Sequence, residues 1–291
     1  MNKILITGAT GYLGKEVVEL LAEQSAESTI AALVRNPDKA EPLKAKGVEI
    51  REGDYDNYDS LLRAFKGIDK LYFVSGSDIA HRTRQHENVV NAAKEAGVHH
   101  VVYTSFQRKN ETASSPIAPV AEAHLKTEAW LKASGLAYTI LKHTLYLDML
   151  PMFMGEQVLE SGVIYQPAGD GKAAMLTRHD MAEVAAAILT SEGHENKEYD
   201  ITAGQAYSYG DIAAILSELT GKPIQYVSPS QEAFSKTLSE QGVPAEAIGM
   251  SVGFAEAIKQ GEFGKTSHDT ETILGHQPTS LSDYLKQIYA S

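Results

Sequence analysis

Gly8, Gly11 and Gly14 are spaced so that a backbone turn between a strand and a helix can hold phosphate. They follow the short β-rich run Lys3–Thr7 and precede Val17, Val18, Leu20 and Leu21, an apolar stripe at helical spacing over 14–24. The first glycine allows a tight turn, the second lets backbone approach a pyrophosphate, and the third lets the helix pack close to the sheet. The whole segment (Gly8, Ala9, Thr10, Gly11, Tyr12, Leu13, Gly14) therefore reads as a dinucleotide phosphate turn. The helix opening near Tyr12 aims free N–H groups and the positive end of its dipole at the phosphates. Arg35 ends the next apolar run, where a cofactor lacking a 2′-phosphate usually meets Asp or Glu. Val34-Arg35-Asn36 has no acid before Asp38, so the cofactor expected is NADP(H) in preference to NAD(H).

The elements that must position these residues alternate through the first half of the chain. Strand-like runs fall at 3–7, 29–34, 48–51, 70–74, 100–104 and 137–141, and helical runs at 14–24, 58–65, 84–96 and 120–133. This rhythm predicts an α/β fold: a Rossmann-type, doubly wound parallel sheet with helices on both faces. The ends of its strands should line one crevice. That adds Asp54 and Tyr55 (flanking the adenine), Ser75, Gly76 and Ser77 (beside the ribose-phosphate), and Thr104 and Ser105 to the cofactor-contact candidates. Lys142, His143, Thr144 and Leu145, with Tyr146, follow the sixth strand and should lie nearest the nicotinamide.

After Leu145 the rhythm breaks. Residues 1–147 are expected to form the NADP(H)-binding domain and 148–291 a smaller C-terminal α/β lobe, from which later strands can return to the sheet. Helices are expected at 177–190, 208–220, 231–241 and 245–260, and strands at 197–202 and 224–227. Ser208 and Asp211 form a capping box.

Composition narrows the function classes. The chain of 291 residues carries a net charge of −12 and has no basic tract, which disfavours direct nucleic-acid binding. No apolar run is long enough for a membrane span or a signal peptide, so a cytoplasmic location is expected. There are no cysteines, and the ten histidines show no two-His-plus-carboxylate spacing on a helix face, so no metal is expected.

The motifs together are similar to those of the NmrA-like family of atypical short-chain dehydrogenases. They are Gly-Ala-Thr-Gly-x-Leu-Gly at 8–14, Leu-Val-Arg-Asn-Pro at 33–37, Gly-Val-Glu-Ile-Arg-Glu-Gly-Asp-Tyr at 47–55, the run 85–98, Tyr103-Thr-Ser, His124-Leu-Lys-Thr-Glu128, Tyr138-Thr-Ile-Leu and Ala168-Gly-Asp-Gly-Lys. The resemblance covers nearly the whole chain and is nearest to the bacterial quinone- and triphenylmethane-dye-reducing members. It implies an NADP(H)-binding Rossmann domain, a small lobe closing over the nicotinamide, and a quinone or flat aromatic acceptor. The family also includes redox sensors without turnover, which stands as the second reading. A homodimer is compatible with either.

Conventional short-chain dehydrogenases pair a Tyr acid with a Lys four residues later on a helix. Tyr138 and Lys142 have that spacing but fall in a strand, where it does not make them helical neighbours. The helix expected to carry the pair instead has His124 and Glu128. Ketone reduction generates an alkoxide and needs a positioned acid. A reduced quinone is a phenolate-like anion with a pKa of about 10 and can take its proton from water. Direct hydride transfer driven by positioning is therefore the chemistry left open. His124 and Tyr146 are the catalytic candidates, with His124 donating to an acceptor oxygen, holding the cofactor amide, or making a structural hydrogen bond. Glu128 reads as a salt-bridged surface acid. Met149, Met152, Phe153 and Met154 can line an apolar acceptor pocket or be core.

Overall fold

The computed structural model of the chain describes residues 2–24, 29–155 and 157–290; Met1 and Ser291, the outer ends of the two expected lobes, lie outside the described residues. Seven strands form one parallel sheet: β1 (Lys3–Ile6), β2 (Thr29–Val34), β3 (Glu49–Glu52), β4 (Lys70–Phe73), β5 (His100–Phe106), β6 (Ala137–His143) and β8 (Lys197–Ile201). Their order is β3-β2-β1-β4-β5-β6-β8, so the winding reverses between β1 and β4. The crevice beyond the carboxyl ends of those two strands is where such a sheet binds ligands.

Ile4, Leu5 and Ile6 are all fully buried, as expected of a strand covered on both faces. On one face, helix Tyr12–Gln24 packs with helix Arg178–Thr190 over Ile4, Ile6 and Ala32. On the other, helices Tyr58–Phe65 and Arg82–Glu95 cover Leu5, Leu71, Phe73 and Tyr103, and helix Ala118–Ser134 packs beside Arg82–Glu95. Asn57 caps the helix at 58 and Thr177 the helix at 178, each accepting a backbone N–H of the first turn. Residues 178–201 thus belong to the sheet layers, although they follow the break in rhythm.

The rest of the second half builds a smaller core. Helices Tyr209–Thr220, Ala245–Lys259 and Leu281–Tyr289 enclose Ile212, Leu216, Ile258, Phe263 and Leu285 beside a two-stranded sheet of β7 (Val163–Tyr165) and β9 (Gln225–Val227). The Ser208–Asp211 capping box is present. One contact fastens this core to the sheet side and another tightens the core itself. Buried Glu262 accepts the backbone N–H groups of Lys109 and Asn110 at 2.8 and 2.9 Å, just beyond β5. Gly171 lets its backbone approach the end of helix Ala245–Lys259 so closely that a Cβ would sit 2.2 Å from Ile258 O. No helix among the described residues is long and apolar enough to cross a membrane.

Candidate active site

The glycine turn has the geometry that its spacing requires. Gly8 has φ +61°, a left-handed conformation that favours glycine. A Cβ on Gly14 would lie 2.4 Å from Gly8 O, and one on Gly11 3.3 Å from the same atom. Ala9 and Leu13 turn their side chains into the core, while Thr10 and Tyr12 face outward. Only the backbone of this turn is therefore offered to a ligand across its whole length, which suits a pyrophosphate.

The crevice floor is tied across three strands. The Tyr55 hydroxyl lies against Thr7 Oγ1 and 2.8 Å from Val74 O, and Thr7 Oγ1 accepts the Val74 N–H at 2.9 Å. Ser75 N–H donates to Thr104 Oγ1 at 2.8 Å, and Gly76 N–H donates to His86 Nε2 at 3.0 Å. Because an amide N–H can only donate, His86 Nδ1 carries the ring proton and donates to Thr127 Oγ1 at 2.8 Å. Burial, with Arg82 nearby, pushes His86 down to about 3. This ring is thus a neutral bracket holding the loop after β4 to helix Ala118–Ser134.

Arg35 is exposed at the end of β2 and makes no ion pair among the described residues. Asp38 N–H is taken by Asn36 Oδ1, which starts the short turn Pro37–Ala40. Asp54 spends Oδ1 on the Asp56 N–H, while Asp56 pairs with Arg84 and Gln85. Ser77 is exposed near the same edge.

Beyond the carboxyl ends of β4, β5 and β6 the crevice opens into a mostly apolar cavity of about 620 Å³. Ser75, Thr104, Ser105, His124, His143, Thr144, Leu145 and Tyr146 all reach it, so the structure brings both catalytic candidates and most of the strand-end candidates to one place. Phe106, Tyr207, Met250 and Phe254 line the remainder, together with Met149, Met152 and Phe153. Helix Ala245–Lys259 forms the roof, with its N-terminal half largely exposed.

Lys142 and Glu128 depart from their expected places. Lys142 does not reach the cavity: its ammonium is held by Glu198 of β8 at 2.7 Å. Glu128 is paired but not at the surface: it is 5% exposed, gripped by Arg108 at 2.9 and 2.7 Å, and accepts the Ser105 hydroxyl. Ser105 therefore turns its hydroxyl to the helix, although it borders the cavity. Met154 belongs to the core of the second half. His124 is buried and neutral: desolvation, then Arg82, hold it well below the ordinary histidine range. Its Nδ1 lies 2.7 Å from the Tyr103 hydroxyl and it stacks on Phe106. Tyr146 has its hydroxyl pushed up by burial and faces Arg178, whose guanidinium also covers the ring of exposed Tyr12 at 4.2 Å.

Sequence reasoning missed Arg82. It is the first residue of helix Arg82–Glu95, two residues before the helix start that apolar spacing indicates. Its contribution comes from the fold, because a polar helix-start residue is ordinarily solvated.

The polar groups left over fit a dinucleotide. Both ring nitrogens of His143 and the Thr144 hydroxyl are buried without hydrogen-bond partners at the end of β6, where a nicotinamide would lie. Among the described residues, no group of His, Asp and Glu is arranged to hold a metal ion.

The NmrA-like family model matches residues 1–285. Quinone oxidoreductase 2 of Escherichia coli is 36% identical over 286 residues, 98% of each chain. The Citrobacter sp. triphenylmethane reductase complexed with NADP(H) is 38% identical, with a TM-score of 0.90 over 99% of this chain and 100% of that one. The E. coli NADPH-dependent quinone oxidoreductase complexed with NADPH is 36% identical, with a TM-score of 0.91 over 98% and 99%. The chain belongs to the NmrA-like family.

Proposed function

We propose that the protein is an NADPH-dependent oxidoreductase that passes hydride directly to a quinone or similar flat aromatic acceptor. The observation that carries this reading is the apolar cavity opening beside the dinucleotide crevice, at a site with no Tyr–Lys proton-donating pair. The relatives that bind NADPH and reduce quinones or triphenylmethane dyes support it.

In this reading, the backbone of Gly8–Gly14 holds the pyrophosphate, Arg35 meets the 2′-phosphate, and Asp54, Tyr55 and Ser75–Ser77 flank the adenosine and ribose. Thr104, His143, Thr144 and Leu145 orient the nicotinamide, and the unpartnered ring of His143 and hydroxyl of Thr144 are the groups that its amide would satisfy. The bound cofactor supplies the hydride. Phe106, Phe254 and the methionines hold the acceptor flat and exclude water, so positioning is the main source of rate. Tyr146 borders the acceptor with its hydroxyl kept protonated. His124 is a neutral wall of the cavity; it does not act as an imidazolium acid, and water supplies the proton to the reduced acceptor. Residues outside the sheet layers after 148 form the acceptor lobe. The reading places the protein in the cytoplasm and is compatible with a homodimer.

Steady-state NADPH oxidation with a panel of quinones tests it. The expected result is saturable turnover that survives His124→Ala. Tight NADPH binding with no turnover above buffer for any acceptor would overturn it in favour of a redox sensor.

A further inference from the structure

Arg82 is a buried cation without a counter-charge. It is 8% exposed and lines the cavity, and among the described residues no carboxylate lies within ion-pair distance. Its Nε is buried with no hydrogen-bond partner. Its guanidinium meets the neutral ring of His124, with Nη1 3.5 Å from Nε2. The nearby acid Asp78 is exposed and engaged with His81 at 2.8 Å. Taking a guanidinium out of water without a partner is strongly unfavourable, so the group is expected to gain one when the site is filled. The glycine turn and Arg35 stand at the other end of the crevice, off the cavity lining, so Arg82 is not needed to account for phosphate binding.

Building on the proposed function, we infer that Arg82 is the anion-stabilising and charge-selecting residue of the acceptor site. It donates to the acceptor oxygen on which negative charge collects, and it selects neutral or anionic carbonyl-bearing aromatics over cationic ones. A quinone that takes a hydride gains two electrons, one hydrogen and one negative charge. The C4–H bond of the reduced nicotinamide breaks, a bond from that hydrogen to the acceptor forms, and a carbonyl electron pair moves onto oxygen. One proton from water then completes the hydroquinone. A guanidinium beside that oxygen bonds more strongly as its charge grows, which lowers the barrier rather than merely binding substrate. A cationic triarylmethane dye must instead bring its positive charge beside Arg82 in a low-dielectric cavity, where like charges repel strongly.

The experiment compares the full-length protein with Arg82→Leu and Arg82→Lys. It measures kcat/KM for a neutral naphthoquinone and for crystal violet, and the Kd for NADPH. Arg82→Leu should lower the quinone value by about 10²–10³. It should raise the crystal violet value about tenfold or more and leave NADPH binding unchanged. Arg82→Lys keeps the charge and should recover part of the quinone rate without gaining dye activity. An unchanged quinone rate would overturn the inference, as would parallel loss with both acceptors or weakened NADPH binding. If the unaltered protein turns over no quinone, the proposed function fails and binding of 2-naphthoate with NADP⁺ present decides the site. Binding about tenfold tighter than in Arg82→Leu supports the anion site, and equal binding overturns it.

Discussion

Arg82, at the start of the helix that follows β4, and Arg108, in the loop after β5, approach the same helix, Ala118–Ser134, and both side chains are buried, but their surroundings are opposite. Arg108 grips Glu128 with two nitrogens and also reaches Glu111. Arg82 meets His124, one helical turn earlier, which burial keeps neutral. One guanidinium is spent on the fold and the other is left for a ligand. The residue opposite each makes the difference: a carboxylate silences a buried cation, and an imidazole held neutral does not.

The largest expected effect comes from breaking the spent pair. Glu128→Leu leaves Arg108 buried with its main counter-charge removed and should cost about 3–5 kcal/mol of stability, read by urea unfolding. Arg82→Leu should cost no stability in the same assay, because it removes a charge that was already uncompensated. If both substitutions destabilise alike, the comparison fails. His124→Glu sharpens it by giving Arg82 a carboxylate, and should suppress quinone turnover as Arg82→Leu does while NADPH still binds.

A third arginine extends the contrast to the polar end of the crevice. Arg35 is exposed, so Arg35→Ala should leave stability unchanged. It should weaken NADPH binding by about ten- to a hundredfold, the range for a lost hydrogen bond to a charged group, and leave NADH binding unchanged. Equal losses for both nucleotides would remove the 2′-phosphate role.

A further effect is a slope with pH, shared among several buried histidines. Burial holds His86 and His143 at about 3 and His100 at about 4. In the unfolded chain they take up protons near pH 6.5. Between about pH 6.5 and those folded values the unfolded state binds more protons. Stability is therefore greatest above that window and falls as the pH drops through it, by about 1.4 kcal/mol per pH unit for each histidine fully protonated in the unfolded chain. Denaturant midpoints measured from pH 7.5 to 5 should show the decline, and His143→Asn should flatten it. A flat profile in the unaltered protein would contradict the burial of these rings.

What could be read from sequence was local. The turn at Gly8–Gly14 is made by backbone within seven residues of chain, so its spacing alone specifies it. The sheet was legible for a similar reason, since each buried strand carries its own apolar run. The acceptor cavity draws side chains from the ends of β4 to β6, from the segment at 149–153 and from helix Ala245–Lys259, and no spacing rule joins those segments. Arg82 and Glu128 show the limit most clearly: each is charged and reads as solvated, and each is buried because of residues far away in the chain. Lys142 fails in the opposite sense. It sits at the correct strand end, but Glu198 of β8 captures it, and that strand joins the sheet from beyond the break in rhythm.

The central claim, that a cofactor held by the glycine turn delivers hydride directly into the acceptor cavity, is tested most directly by single-turnover kinetics with NADPH deuterated at C4. The account predicts quinone reduction with deuterium transferred from the nicotinamide, a primary isotope effect, and little change on His124→Ala. NADPH that stays bound and unoxidised, or quinone reduction insensitive to deuteration under single-turnover conditions, would contradict it.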